Sequence, residues 1–265
     1  MENKTCAHFL VILLWIIEAC TIILLHTCGI YLLVTERRHK IQHIILIQLS
    51  CLEILNIIWD LFFYKQTVLN TDALSEVNRT GTLIIWIGIF LTVLTLTLDR
   101  LLAVRLGILY NIHVTTKRTC IVLMIIWFIA LMHVFNYFNF DEKRQNILFV
   151  TWECVLLVFL VSSYLYIFIK LSQLQRRTNS STSLNQRQLN YRIPLLIVLS
   201  LICFVFLLDI LMVMGVAYST WFSLVYQFNF LADACIYIFG TRCIRKRVSA
   251  FWYQTSAQEI NTITL

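Results

Sequence analysis

The chain has 265 residues, of which 60% are hydrophobic and only 13% are charged. Soluble domains usually carry about 25% charged residues, so this composition excludes an ordinary water-soluble fold and favours a protein whose apolar faces lie in lipid. The formal net charge is +7, but the basic residues form short clusters between apolar runs, which indicates membrane orientation and argues against nucleic-acid binding.

Seven apolar stretches are long enough to cross a bilayer, which takes about 20 mainly apolar residues. The first is too long for the apolar region of a signal peptide, so we expect an anchored helix. None shows the alternation of transmembrane β-strands. We therefore predict an all-α membrane protein, a seven-transmembrane helix bundle. Its spans lie at about 8–34, 41–64, 80–104, 119–138, 147–171, 193–217 and 220–239.

Lys and Arg residues predict the orientation of this bundle. With segment 1–7 outside the cell, cytoplasmic segments hold 16 of the 21 basic residues and outer segments hold 5. Such an asymmetry in short loops predicts a multi-pass protein of the plasma membrane with an extracellular N-terminus. The sequon at Asn3 then lies outside and is a predicted glycosylation site.

The segment after the seventh span, 240–265, is predicted to be cytoplasmic. Residues 241–252 alternate basic side chains with apolar ones. This pattern predicts a short amphipathic helix that binds membrane lipid at the inner leaflet, with a solvated basic tail as the alternative.

Acidic and amide side chains recur at helical spacing inside two predicted spans. In the second span they share one face, and in the seventh they recur every four residues. We expect the two stripes to face each other, with neighbouring carboxyl groups sharing a proton because two buried anions would repel. The alternative is that they make interhelical hydrogen bonds only. The stripes consist of Glu53, Asn56 and Asp60, and of Asn229, Asp233 and Tyr237.

The inner end of the third span carries the most specific motif. Asp99-Arg100-Leu101 is followed by Gly107-Ile108-Leu109-Tyr110 and then by Trp127. This block resembles the rhodopsin-like (class A) G-protein-coupled receptors. In that family an Asp-Arg-Tyr motif closes helix 3, a Pro-Leu-x-Tyr turn follows, and a Trp marks helix 4. Most of the chain is similar to the same family: Glu53 stands for the helix 2 Asp, Tyr164 for the helix 5 Tyr, and Asp233 begins a motif like Asn/Asp-Pro-x-x-Tyr.

Several departures mark a divergent member. Leu101 replaces the Tyr of the helix 3 motif, and no Asn occupies the helix 1 signature position, which falls near Leu25 or His26. Helix 6 lacks its Trp and Pro, and Ala234 replaces the helix 7 Pro. Since the proline kinks are missing, we expect a different switching network, in which Asp209 takes part.

The resemblance implies a receptor that binds an extracellular small molecule, lipid or short peptide and activates heterotrimeric G proteins, with arrestin as a further partner. The implied switch residues are Asp99, Arg100, Tyr164 and Tyr237. Thr82 stands where amine receptors carry an Asp, which disfavours a biogenic amine unless Asp60 substitutes. The implied pocket wall consists of Asp60, Thr82, Trp86, Leu148, Trp152, Leu211, Met212, Ser223 and Gln227.

Two other functions stay open. The intramembrane acids also suit a proton- or ion-coupled transporter, and the missing switch residues suit a non-signalling partner or decoy receptor. By family analogy, sodium at Glu53, Asn229 and Asp233 is less expected than a shared proton, because Ile89 replaces a polar helix 3 residue. No nucleophile–base pair is found, so we expect neither an enzyme nor a cofactor.

Overall fold

The structure is a computed structural model that describes residues 2–35, 41–67, 72–137, 142–177, 195–200, 206 and 227–236. Within these ranges the chain is helical and has no strand. Residues 195–200 and 227–236 are also helical. The longer elements are α1 (Glu2–Val34), α2 (Ile41–Thr67), α3 (Asp72–Leu106), a 3-10 turn (Gly107–Leu109), α4 (Tyr110–His113), α5 (Thr116–Tyr137) and α6 (Glu142–Arg177).

Three helices of the described part are long and apolar enough to cross a membrane. These segments are Ile12–Val34 in α1, Ile41–Phe63 in α2 and Thr80–Leu106 in α3. The predicted all-helical architecture, with helices long and apolar enough to cross a membrane, is therefore confirmed at this coarser level. Predicted spans four and five coincide with α5 and α6, and α6 contains a shorter apolar helix, Cys154–Lys170. The complete count of seven spans and its orientation remain predictions.

Helix α3 lies at the centre of the described helices. It packs against α2, α5 and α6, while α1 packs against α2. Helices α2 and α3 run antiparallel in a fixed register. At one level Gln48 Nε2 donates to Thr92 Oγ1 at 3.2 Å, and at another the Trp59 ring covers Gly81 so closely that a Cβ atom there would lie 2.0 Å from it. Glycine at this position allows the close approach.

The two faces of α2 differ in their surroundings. Leu55, Ile58 and Phe62 are exposed large apolar side chains on one face. Glu53 and Asn56 are buried on the opposite face. Because an apolar face of a membrane helix is covered by lipid, this distribution directs the acidic stripe of α2 toward the protein interior.

The chain turns sharply after α3. Gly107 has a φ of 56°, which lies in the left-handed region that glycine adopts without steric cost. The 3-10 turn and α4 follow, and α5 begins after Thr115. Arg118 Nη1 then donates to the His113 carbonyl at 2.6 Å, which fixes the turn to the start of α5. This arrangement places Tyr110 beside the end of α3.

Candidate functional site

A polar centre joins three helical segments inside the apolar interior. His26 of α1 and Glu53 of α2 are both fully buried, and His26 Nε2 lies 3.1 Å from Glu53 Oε2. The same Nε2 lies 3.0 Å from the carbonyl oxygen of Phe230 in segment 227–236. Because a carbonyl oxygen only accepts, Nε2 carries a proton and donates it to Phe230, with the Glu53 carboxyl beside it. We call His26, Glu53 and Asp233 the polar centre.

Asp233 completes the centre from segment 227–236. Its carboxyl group lies close to that of Glu53, and both side chains are buried. Two adjacent carboxylate anions in an apolar interior repel each other, so one of the two groups takes up a proton. The pair therefore holds at least one proton, and α2 is joined to segment 227–236 through it.

Amide and hydroxyl groups extend this centre. Ser200 Oγ donates to Asn229 Oδ1 at 2.9 Å, and Ser200 also lies close to the Asp233 carboxyl. Asn229 Nδ2 is buried without a hydrogen-bond partner among the described residues. Since a buried donor without a partner is costly, Asn229 can accommodate one further acceptor. In the part of the chain that the structure describes, no group of three or more His, Cys, Asp and Glu residues could hold a metal ion.

A second polar cluster closes the predicted inner end of α3. Arg100 Nε donates to Asp99 Oδ2 at 2.9 Å, and Nη2 donates to the same oxygen. The hydroxyl of Tyr110 donates to Asp99 Oδ1. Tyr164 of α6 is buried close to Thr97 and Arg100. Thus three of the four predicted switch residues lie together, and Tyr237 lies outside the described residues.

Aromatic rings connect α3 to the segments nearer the C-terminus. The Trp86 ring centroid lies 5.7 Å from those of Phe90 and Phe230. Phe90 also stacks on Phe206 at 5.9 Å. At these separations aromatic rings attract each other beyond their area burial. Trp86, a predicted pocket residue, therefore also holds segment 227–236 against α3.

The other predicted pocket residues occupy separate places. Asn56 Nδ2 donates to Asp60 Oδ2 at 3.4 Å, and Thr82 Oγ1 donates to Asn78 Oδ1 at 3.5 Å. Gln227 is buried, and Trp152 of α6 packs against the apolar core. The remaining predicted sites lie outside the described residues or have side chains outside them: Asn3, Leu148, Asp209, Leu211, Met212 and Ser223.

Two functional side chains were missed by sequence reasoning. His26 occupies one of the two candidate positions for the helix 1 signature, yet its role in the polar centre was not predicted. Tyr110 belongs to the turn motif, yet its bond to Asp99 was not predicted either. A buried ionisable residue in an apolar helix is itself a sign of a polar partner, so His26 carried a usable signal.

Neither a scan of protein-family models nor a search of curated proteins finds a match to this chain. Function is therefore inferred from the arrangement of its own residues.

Proposed function

We propose that this chain is a divergent rhodopsin-like G-protein-coupled receptor in the plasma membrane. It binds an extracellular small molecule, lipid or short peptide and activates heterotrimeric G proteins. The observation that carries this proposal is the cluster at the inner end of α3, where Asp99 holds Arg100 on one carboxylate oxygen and Tyr110 on the other.

In the proposed receptor, the contact between Asp99 and Arg100 holds the inactive state and breaks on activation. Arg100 is only 7% exposed, so its guanidinium is held within the bundle by the neighbouring carboxylate. A released guanidinium offers five N–H donors to carbonyl or carboxylate groups of a partner helix. A ligand that prefers the released arrangement would shift the population toward it, as receptor activation requires.

The polar centre suits a role in coupling the outer half of the bundle, where a ligand would bind, to the inner half, where a G protein would bind. It joins α1 and α2 to segment 227–236 through His26, Glu53 and Asp233. Buried hydrogen-bond networks rearrange between discrete states, because a half-broken network leaves polar groups unpaired. In this proposal, a structural change that a ligand causes in the outer half reaches the inner half when the groups of the polar centre exchange hydrogen-bond partners.

Proton-coupled transport is the second candidate. The two adjacent buried carboxyl groups of Glu53 and Asp233 favour it, because repulsion between two buried anions leads one of them to hold a proton in the interior. Proton flux into liposomes that disappears in Glu53→Gln and Asp233→Asn would establish transport. Flux equal to that of empty liposomes would exclude it.

The receptor proposal is tested by signalling through a panel of chimeric G proteins, with and without a ligand library. Arg100→Ala is compared with Arg105→Ala, a matched change at an exposed position of the same helix. We expect signalling to disappear in the first variant and to persist in the second at equal surface expression. Wild-type signalling in Arg100→Ala would contradict the proposal. Surface expression of the wild type without signalling through any G protein would favour the non-signalling partner.

A further inference from the structure

Asp60 lies on the interior face of α2 but away from the polar centre. At 100° per residue it is turned about 160° around the helix axis from Ile58 and Phe62, and about 20° from Glu53. Ile58 and Phe62 are exposed apolar side chains, whereas Glu53 is buried. Asp60 is partly buried, so the part of it that is accessible opens between helices and away from the lipid face. It stands about 10 Å along the helix from Glu53, toward the predicted outer end.

Asp60 lacks the kind of partner that Glu53 and Asp99 have. Glu53 faces His26, and Asp99 pairs with Arg100. Among the described residues, Asp60 forms no ion pair, and its hydrogen bond from Asn56 is long at 3.4 Å. An ionisable side chain inside a membrane is costly unless it is paired. Its place at the predicted mouth of the bundle makes it accessible to a cationic group that enters from the outer side.

Asn56 supplies a second acceptor at the same place. Its side chain is 1% exposed, and it uses Nδ2 to reach Asp60, while Oδ1 has no hydrogen-bond partner among the described residues. The Asp60 carboxylate and the Asn56 carbonyl oxygen therefore stand one helical turn apart on one face. Both are acceptors, and the Asn56 Nδ2 donor is already used between them.

We propose that Asp60 and Asn56 form the binding site for the cationic group of the ligand, an ammonium or a guanidinium. This inference rests on the proposed receptor function, of which it names the ligand class. An ammonium offers three N–H donors and a guanidinium offers five, so either group can bond the carboxylate and the amide oxygen together. The cation also neutralises the charge of Asp60 inside the bundle.

A bare metal ion fits this site poorly. Hard cations such as Ca²⁺ take about six to eight oxygen ligands, and Mg²⁺ takes about six. Asp60 and Asn56 supply three side-chain oxygens at most, and one of these already accepts from the amide. An N–H cation needs only two or three acceptors, which this pair provides. The same chemistry occurs in a small amine and in a basic side chain of a short peptide.

The test uses the purified full chain and three probes of similar size: n-butylammonium, n-butylguanidinium and neutral pentanamide. The midpoint of thermal unfolding is measured against probe concentration, with sodium chloride at matched ionic strength. A ligand that binds only the folded state raises this midpoint. Asp60→Asn removes the charge, Asp60→Glu retains it, and Ile58→Ala changes the lipid face of the same helix as the matched control.

We expect at least one cationic probe to stabilise the wild type at millimolar concentration, and pentanamide and sodium to have no effect. Asp60→Asn should require at least about tenfold more probe, while Ile58→Ala and Asp60→Glu keep the response. Equal stabilisation of the wild type and Asp60→Asn, stabilisation by sodium alone, or no stabilisation by either cation would overturn the proposal. A preference for the guanidinium over the ammonium would support the site and point to a peptide arginine.

A second measurement covers the case in which Asp60→Asn does not fold. The variants Asp60→Cys and Ile58→Cys are each treated from outside with a cationic methanethiosulfonate. We expect faster modification at position 60, and equal rates would overturn the site. Neither measurement needs a G protein. Cation binding without nucleotide exchange on a G protein would support the cation site and contradict the receptor function. Nucleotide exchange without cation binding would support the receptor function and contradict the cation site.

Discussion

His26 Nε2 and Glu53 Oε2 lie 3.1 Å apart, with neither side chain exposed to solvent. This contact joins α1 to α2, and the bond from His26 to the Phe230 carbonyl joins both to segment 227–236. Polar groups buried in an apolar interior hold their partners firmly, because separating them leaves each group without water or a substitute. The contact therefore fixes the relative rotation of three helical segments.

Removal of the imidazole should destabilise the fold. His26→Leu leaves the Phe230 carbonyl without its donor and removes the imidazole beside the buried Glu53 carboxyl, which should lower the free energy of unfolding by about 3 kcal/mol. Denaturant unfolding in detergent measures this loss. The double variant His26→Leu with Glu53→Leu should recover part of it, because the two partners are then removed together. Strict additivity of the two single changes would show that the side chains do not interact.

Two glycines provide a matched pair for the packing of α2 on α3. A Cβ atom at Gly81 would lie 2.0 Å from the Trp59 ring, whereas a Cβ atom at Gly29 meets nothing within 4 Å. Gly81→Ala should therefore cost about 1–3 kcal/mol, because the indole must move and lose its bonds to Asn78. Gly29→Ala should be neutral or slightly stabilising, because alanine favours a helix. Thermal unfolding of both variants checks the difference, and equal midpoints would contradict the predicted register.

Tyr110 should stabilise the cluster of Asp99 and Arg100 at the inner end of α3. Tyr110→Phe removes the hydroxyl that donates to Asp99 Oδ1, and bonds to a charged acceptor contribute about 1.5–3 kcal/mol. We expect a lower unfolding midpoint for this variant. Tyr31→Phe is the control, because Tyr31 is an exposed side chain of α1. If the two variants unfold at the same temperature, Tyr110 does not stabilise the cluster.

The helices could be predicted from the sequence, while their contacts could not. An apolar run of about 20 residues indicates a span by itself, and α1, α2 and α3 contain the predicted first three spans. Their ends were less predictable: α3 begins at Asp72, well before the apolar run that starts near 80. A helix satisfies its own backbone hydrogen bonds, so it continues beyond the apolar boundary.

Side-chain partners depend on how helices turn toward each other. The spacing of Glu53, Asn56 and Asp60 predicted one shared face, and the structure places Asn56 and Asp60 in contact. His26 meets Glu53 and Phe230 from far along the chain, so no local pattern could reveal the contact. Tyr110 could be recognised as part of a turn motif. Its partner, Asp99, follows only from the path of the chain through Gly107.

The central claim is that the chain presents the Arg100 end of α3 to the cytoplasm. Glycosylation mapping tests it most directly. Acceptor sequons with flexible Gly/Ser spacers, which lift them clear of the membrane, are inserted one at a time at residues 68–71, 138–141 and 178–192. The account predicts glycan addition at the first two positions and none at the third. Glycosylation at 178–192, or its absence from both outer positions, would contradict it.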